Sequence, residues 1–460
     1  MNLFRKKSVQ KIISDAEAKP LKKTLGAIDL IMLGIGATIG TGIFVITGIA
    51  AAKYAGPAIS LSYVCASIAC IFAALAYAEV ASMVPVSGSA YTYSYSVMGE
   101  FIAWVVGWGL LLEYGVGAAT VASGWSGYMV GILKSAGVIL PEHFTKSPAN
   151  GGLVNFPAIF IVLFISFLLY RGTKESVTLN RILVVVKLSV IFIFLLIATP
   201  MINLENWQDF MPFGINGIFV GAATVFYAYI GFDAVATAAE ECKNPKKDLP
   251  IGIIGSLVIC TILYVAVSLV LTGIAHYSSL DNAEPLARAL RENGNNIGSA
   301  LVATGAIAGI TSVLLILLYG QSRIFFVMSR DGLIPAKFSN LHKKFHTPNV
   351  SVLLTALLVS LVTGFLPLET LSHMTSLGTL FAFSVVAIGA MILRVTEPEI
   401  KRSFKCPAVY IVGPIAVLSC GYLIYTLLIE NGHWFAIWTV LGLIFYFIYG
   451  YKNSALNRKS

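Results

Sequence analysis

The sequence predicts an all-α polytopic membrane protein. Three observations carry that reading: long apolar runs, sparse charge confined between them, and glycine-rich text inside two of them. Of 460 residues, 57% are hydrophobic and only 12% charged, with a mean hydropathy of +0.83. Runs of about 20 apolar residues open near Ile28, Pro57, Phe101, Val154, Leu179, Gly214, Leu249, Gly298, Val350, Leu371, Pro407 and Trp434, which predicts roughly twelve helices. The first 23 residues are basic and polar and lead straight into the first run, so no cleavable signal peptide is expected.

The charges set an expected orientation. With the N-terminus placed in the cytoplasm, five of the 31 lysines and arginines fall outside (Lys53, Lys134, Lys146, Arg288, Arg291), Lys187 lies within a span, and the other 25 face the cytoplasm. The positive-inside rule then places both termini in the cytoplasm, and the net charge of +9 reads as topology rather than as nucleic-acid binding. Polar text gathers in the cytoplasmic linkers Arg171 to Arg181, Glu240 to Asp248, Ser329 to Pro348 and Arg394 to Pro407; the longer external loops are Lys134 to Gly152 and His276 to Ile297. None of the six cysteines is external, since Cys65, Cys70, Cys260 and Cys420 lie in spans and Cys242 and Cys406 on the cytoplasmic side. No structural disulfide is expected.

The glycine-rich text lies in the first and sixth spans. The first reads GIGATIGTGIF, with Gly34, Gly36, Gly40 and Gly42 inside ten residues, and the sixth reads FYAYIGFDAVATAAEE, with Gly231 beside Asp233. Glycine is about 1 kcal/mol worse than alanine inside a helix, so such a cluster either lets helices pack closely or breaks the helix. Close packing suits Gly34. A break is the reading for Gly40-Thr41-Gly42 and its counterpart near Gly231. Free N–H groups and the positive end of a half-helix would attract a carboxylate, and free carbonyls an ammonium; an α-amino acid carries both. Irregular backbone at this depth is tolerated where it is buried or lines a cavity, so the breaks should face a transport path.

These segments, with YAEVASMVPVSGSAYTYSY, GWGLLLEYGVGAATVASGW, FYAYIGFDAVATAAEECKNPKKDLPIGI and YGQSRIFFVMSRDGLIP in order, resemble the amino acid, polyamine and organocation (APC) transporter superfamily, most closely its cationic amino acid transporter branch in a twelve-helix bacterial form. The resemblance implies a LeuT-like five-plus-five inverted repeat with broken helices 1 and 6, plus two C-terminal helices. The expected divisions are a cytoplasmic segment 1–27, repeats at 28–199 and 200–394, and helices 11 and 12 with a tail at 395–460. It further implies that Thr41 and Gly42 hold a substrate carboxylate and that the Thr38 carbonyl receives the amino group. Tyr227, Ala228 and Ile230 would supply the partner segment, with Tyr227 closing over the substrate.

Several charges lie in or beside the spans. Lys187 sits about 12 Å into its helix at 1.5 Å per residue from Leu179, within the apolar run Ile182 to Thr199. An intramembrane ionisable group marks a functional site by default. A desolvated lysine can exchange a proton near neutrality, and in proton-coupled relatives a helix 5 lysine stands where sodium-coupled carriers of this fold place a cation. The alternative is a permanent cation that pins helix 1 to helix 5. Glu113, about 18 Å into helix 3, either attracts a cationic side chain or fixes packing. Asp233 follows the second break and is expected to stabilise the half-helix N-terminus in a structural or gating role, with direct substrate contact the alternative. Leu317 and Leu318 are candidates for limiting the pocket, and Glu113, Asp233 and Leu317 together are the side-chain selectivity or gating candidates. Glu79, Glu240, Glu241, Arg323, Arg330 and Asp331 read as conformational or topological features.

His342 and His346 have i, i+4 spacing but sit in a proline-flanked loop, and no metal site is expected. Nucleophile elbow, phosphate loop and nucleotide domain are all missing from the sequence, which argues against an enzyme or an ATP-driven pump. The expected function is import of L-amino acids, cationic or small and neutral, across the cell membrane by alternating access. Lys187 is the proton-responsive group, and membrane lipids and the proton are the other partners; no cofactor is expected. An exchanger or uniporter is the transport alternative, and a channel or substrate-sensing receptor is the remote one.

Overall fold

The computed structural model describes residues 3, 5–6, 23–83, 89–172, 177–238, 241–345, 347–399, 402 and 404–457. They form an all-α bundle whose first helix is broken. α1a spans Ala27–Thr38; Ile39 then turns extended (ψ 103°), and α1b continues through Gly42–Ile46, Thr47–Ala50 and Ala51–Ala55, two of these stretches having wide π-helical turns. The break falls at Ile39 and Gly40, so Thr41 and Gly42 open the second half rather than standing in the gap. The following helices are α2 (Ile59–Met83), α3 (Glu100–Ser135), α4 (Phe156–Tyr170) and α5 (Val177–Ala198).

α6 is broken as well. α6a runs Gly214–Val225 and tightens to a 3₁₀ turn at Phe226–Tyr229; Ile230 is extended (ψ 132°), and α6b resumes at Ala234–Thr237. Gly231 between them holds φ +118°, a conformation in which any side chain is strained. α7 (Pro245–Ile274), α8 (Asn296–Arg330), α9 (Asn349–Phe365) and α10 (Leu368–Thr396) complete the core. Local chemistry fixes the starts: the Asn155 and Asn295 side chains accept from the N–H of Ala158 and Gly298, and Pro245 occupies the first turn of α7.

Two helical runs contain reversals. Gly42–Met83 turns at Gly56, where φ is +60°, and the Thr47 and Tyr63 hydroxyls meet at 2.6 Å across the hairpin. Val409–Asn453 is helical over 45 residues, about 68 Å at 1.5 Å per residue, more than twice the hydrocarbon thickness of a bilayer. Its contacts show the reversal: Cys406 N–H donates to Glu79, Asn431 bonds His373 at the opposite end, and Ser454 returns to Glu100. The two passes are α11, from Val409 to the reversal around Asn431, and α12, from there to Asn453, joined without the loop that a helix start at Trp434 implies. Among the described residues, eight helical runs are long and apolar enough to cross a membrane.

Short helices at Ser89–Val97 and Pro285–Glu292 were not expected from the apolar runs, because each is too short to carry a membrane-length signal. The end of the bundle that carries Arg5 and residues 454–457 is called the tail end below. There Glu79, fully buried at the close of α2, accepts from Arg394 Nε and Nη2 at 2.6 and 2.8 Å. The Glu241 carbonyl accepts from the N–H of Thr24 and Leu25; Glu240 and His346 lie outside the described residues. Buried Asp331 accepts from the Tyr91 hydroxyl at 2.7 Å, and the Arg323 guanidinium stacks 4.9 Å from the Tyr319 ring.

Candidate functional site

The two breaks touch at the centre of the bundle. Gly42 packs so tightly on Ala228 that a Cβ there would overlap the Ala228 backbone. A Cβ on Gly231 would stand 2.8 Å from the carbonyl of Ala37. Gly124 of α3 leaves room for the Thr41 methyl on the third side. Glycine is therefore placed wherever a methyl would hold the segments apart.

Beside this junction is a cavity lined by Thr38, Gly40, Thr41 and Gly42 from α1, by Tyr227, Ile230, Gly231 and Asp233 from α6, and by Glu113, Val121, Val313, Leu317 and Thr375 from α3, α8 and α10. The space open to the centre of a water molecule is about 30 Å³, enough for roughly two waters. Buried hydroxyls of Thr38 and Thr41 have no hydrogen-bond partner among the described residues. An unpaired buried hydroxyl costs roughly 1–3 kcal/mol, so both are ready acceptors or donors for a polar guest.

The broken backbone also exposes groups of both signs. The last carbonyls of a helix and the first N–H groups have no partner within it. α1a and α6a both end at the junction, bringing carbonyl ends; α1b and α6b both begin there, bringing N–H ends. Asp233 occupies the position before the first residue of α6b. A zwitterion could span such a junction, with its ammonium toward the first set and its carboxylate toward the start of α1b.

Most of the expected residues meet here. Thr38, Thr41, Gly42, Tyr227, Ile230, Glu113, Asp233 and Leu317 all line the cavity. Ala228 does not: it stands behind the wall against Gly42. Leu318 is buried outside the lining, one residue round the helix from Leu317. The Tyr227 hydroxyl meets the Thr120 side chain. Lys187 is fully buried but stands behind α1a, its Nζ donating to the Gly36 carbonyl at 2.5 Å and its stem lying over Gly309 of α8.

Sequence reasoning missed Tyr264 of α7, whose hydroxyl lies 2.8 Å from the Ala228 carbonyl and 3.2 Å from that of Thr38. Nothing distinguishes it in the sequence from the other nineteen tyrosines. It also missed Tyr128, which donates to the Phe44 carbonyl at 2.8 Å and anchors α1b to α3. Among the described residues no group of three or more His, Cys, Asp or Glu could hold a metal ion.

Comparison with known proteins agrees with this architecture. The model of a family described as amino acid permease matches residues 25–453. The chain is 44% identical to the methylthioribose transporter of Bacillus subtilis, over 99% of this chain and 100% of that one. It is 45% identical to the branched-chain amino acid permease BcaP of the same organism, over 99% of each. It is also 37% identical to the vacuolar cationic amino acid transporter 4 of Arabidopsis thaliana, over 86% of this chain and 68% of that one. A helical bundle with two broken helices closed around one cavity, matched by a family model along nearly its whole length, is that of a transporter rather than an enzyme, and the chain belongs to the amino acid permease family of the APC superfamily.

Proposed function

We propose that the protein is a secondary transporter that imports L-amino acids across the cell membrane by alternating access. The observation that carries this reading is the junction itself: unpartnered hydroxyls of Thr38 and Thr41, two carbonyl ends and two N–H ends share one small buried cavity. Thr41 and Gly42 would hold the carboxylate, and the carbonyl of Thr38 with the extended segment at Ile230 would receive the ammonium. Tyr227 would close over it. Breaks in the first and sixth helices fit two inverted repeats at 28–199 and 200–394. The lysine and arginine distribution supports a cytoplasmic tail end.

Cavity walls point to side-chain class. Val121, Val313, Ile316 and Leu317 form an apolar side, which suits small neutral or branched side chains and agrees with the substrate named for BcaP. Glu113 and Asp233 line the same cavity with no lysine, arginine or histidine among the lining residues, which favours a cationic side chain as the second reading. That class is the one named for the plant relatives.

Lys187 is proposed to couple transport to the proton: it bonds a carbonyl of the very helix end that borders the substrate. Losing the proton would leave that carbonyl end uncompensated and loosen α1a. The same bond supports exchange or uniport, with Lys187 a permanent cation that pins α1a to α5. One charge crossing 100 mV gains about 2.3 kcal/mol, so a cationic substrate is driven by potential alone and proton drive matters for neutral ones. The test is uptake of labelled alanine and arginine into proteoliposomes, with membrane potential and pH gradient imposed separately, for wild type and Lys187→Ala. Alanine uptake driven by an inward proton gradient and lost in the variant supports symport. Uptake indifferent to the gradient, with exchange retained in the variant, assigns the lysine to structure.

A further inference from the structure

We propose that Tyr264 is a positioning residue for the substrate's amino group, cross-linking the carbonyl ends of α1a and α6a so that they present one acceptor site; this rests on the amino acid reading above. An accounting of the orphan carbonyls leads to it. At the end of α1a, the Ile35 carbonyl accepts from Ile39 N–H at 2.9 Å and the Gly36 carbonyl from Lys187. Thr38, the last residue, has its carbonyl facing the Tyr264 hydroxyl. On α6a, the Tyr227 carbonyl accepts from Ile230 N–H, and the Ala228 carbonyl faces the same Tyr264 hydroxyl.

A phenol has one proton and two carbonyls here compete for it. Two helix C-termini meeting end to end repel each other through their partial negative charges. A donor between them offsets that repulsion and fixes their spacing. Each carbonyl keeps a second lone pair; Thr38 is a residue of the cavity wall, and its remaining lone pair is assigned to a guest cation. When an ammonium takes the Thr38 carbonyl, the Tyr264 proton can settle on Ala228, already the shorter contact.

The ring cannot swing aside. Tyr264 is fully buried and its ring packs against Tyr63 at 5.2 Å and Tyr229 at 5.3 Å between centroids. Both neighbours are tethered, Tyr229 donating to the Tyr63 carbonyl at 2.9 Å and the Tyr63 hydroxyl meeting Thr47 at 2.6 Å. Tyr264 sits on α7, which is helical throughout, and outside the cavity lining, so it acts through the two carbonyls rather than by contact with substrate.

The experiment compares wild type, Tyr264→Phe and Tyr264→Leu in proteoliposomes for the KM and Vmax of alanine uptake, and in detergent for the thermal midpoint of the unliganded protein. Removing the hydroxyl alone should raise KM about tenfold, the upper end of what one neutral hydrogen bond contributes, with Vmax within about twofold and the midpoint of the phenylalanine variant near wild type. Only the leucine variant, which also loses the ring, should melt early. A phenylalanine variant with wild-type KM overturns the inference. So does one in which Vmax and midpoint fall along with the rise in KM, as in the leucine variant, because the residue is then merely structural. Absence of saturable alanine uptake by wild type would instead strike at the amino acid reading itself.

Discussion

A single methyl at Gly42 decides whether the two breaks can meet, because any Cβ there overlaps the Ala228 backbone, which cannot rotate away as a side chain could. Gly42→Ala is therefore expected to lower alanine uptake at least about tenfold, with α1b displaced from the cavity. Gly421 provides the control: a Cβ there meets nothing within 4 Å, and Gly421→Ala should leave uptake and stability within about 0.5 kcal/mol of wild type. Gly231 fails for a different reason. Its φ of +118° strains any other residue by about 1–3 kcal/mol, so Gly231→Ala should lower the thermal midpoint as well as uptake. Two loop cysteines give a residue-scale prediction with a pH sign. Burial pushes the thiols of Cys242 and Cys406 up to about 11. At pH 7 the reactive thiolate is then on the order of one part in ten thousand, against a few per cent for an ordinary cysteine. Maleimide labelling of variants retaining only Cys242 or Cys406 should be slow at pH 7 and accelerate about tenfold per pH unit up to pH 10. Fast labelling at pH 7 would show that these loops open.

At the tail end, charged contacts join the ends of several helices. Glu79 closes α2, fully buried, and binds Arg394 from the end of α10, Arg402 at 3.2 Å and the Cys406 N–H that leads into α11. One carboxylate thus gathers three elements. Removing its charge leaves Arg402, whose side chain is only 4% exposed, short of its counter-ion. Breaking a buried pair from one side costs about 3–5 kcal/mol, so Glu79→Gln should lower the thermal midpoint by several degrees, and a midpoint equal to wild type would mean that solvent already screens the cluster. The sequence made the elements legible to different degrees. Both breaks could be read because four glycines in the first span, and Gly231 beside Asp233 in the sixth, oppose helix propensity where apolar length demands a helix. Placement of the first break is off by one or two residues, since what opens the helix is the extended Ile39 and sequence carries no mark of it. Helices Ser89–Val97 and Pro285–Glu292 lacked a membrane-length apolar signal. Tyr264 was illegible for another reason: its role depends on two carbonyls from residues 36 and 226 positions away in the chain, contacts that exist only once α1, α6 and α7 are packed.

Across the whole molecule, polar clamps of unequal strength stand at the two ends of the bundle, one on either side of the cavity's elements. Opposite the tail end, Lys53 pairs with Glu369 at 2.6 Å, and the Tyr54 hydroxyl lies 2.7 Å from the Glu369 carboxylate and 3.3 Å from that of Glu430, tying α1b to α10 and to the α11–α12 turn. Asn431 and His373 meet at 2.9 Å beneath them. The Lys53 side chain is 37% exposed, and a pair so solvated is worth about 1 kcal/mol or less. The tail end holds the buried Glu79 cluster, the Asp29–Arg181 pair that joins α1a to α5, and the Tyr91–Asp331 bond. The alternating access proposed above requires that one side open while the other stays shut, so if the clamps act as gates, weakening either should bias the equilibrium toward opening on that side. Val313 of α8 lines the cavity and makes a suitable reporter as Val313→Cys in a background without other cysteines. With a membrane-impermeant thiol reagent applied to one side at a time, Glu369→Gln should raise the labelling rate from the far side and lower it from the tail side. Glu79→Gln should do the reverse, with the larger change because its clamp is buried. Both variants raising access from the same side would show that the two clamps do not act as opposed gates. Access unchanged in either would show that the closure is made by apolar packing around Tyr227 and Val313, with the charged contacts only following it.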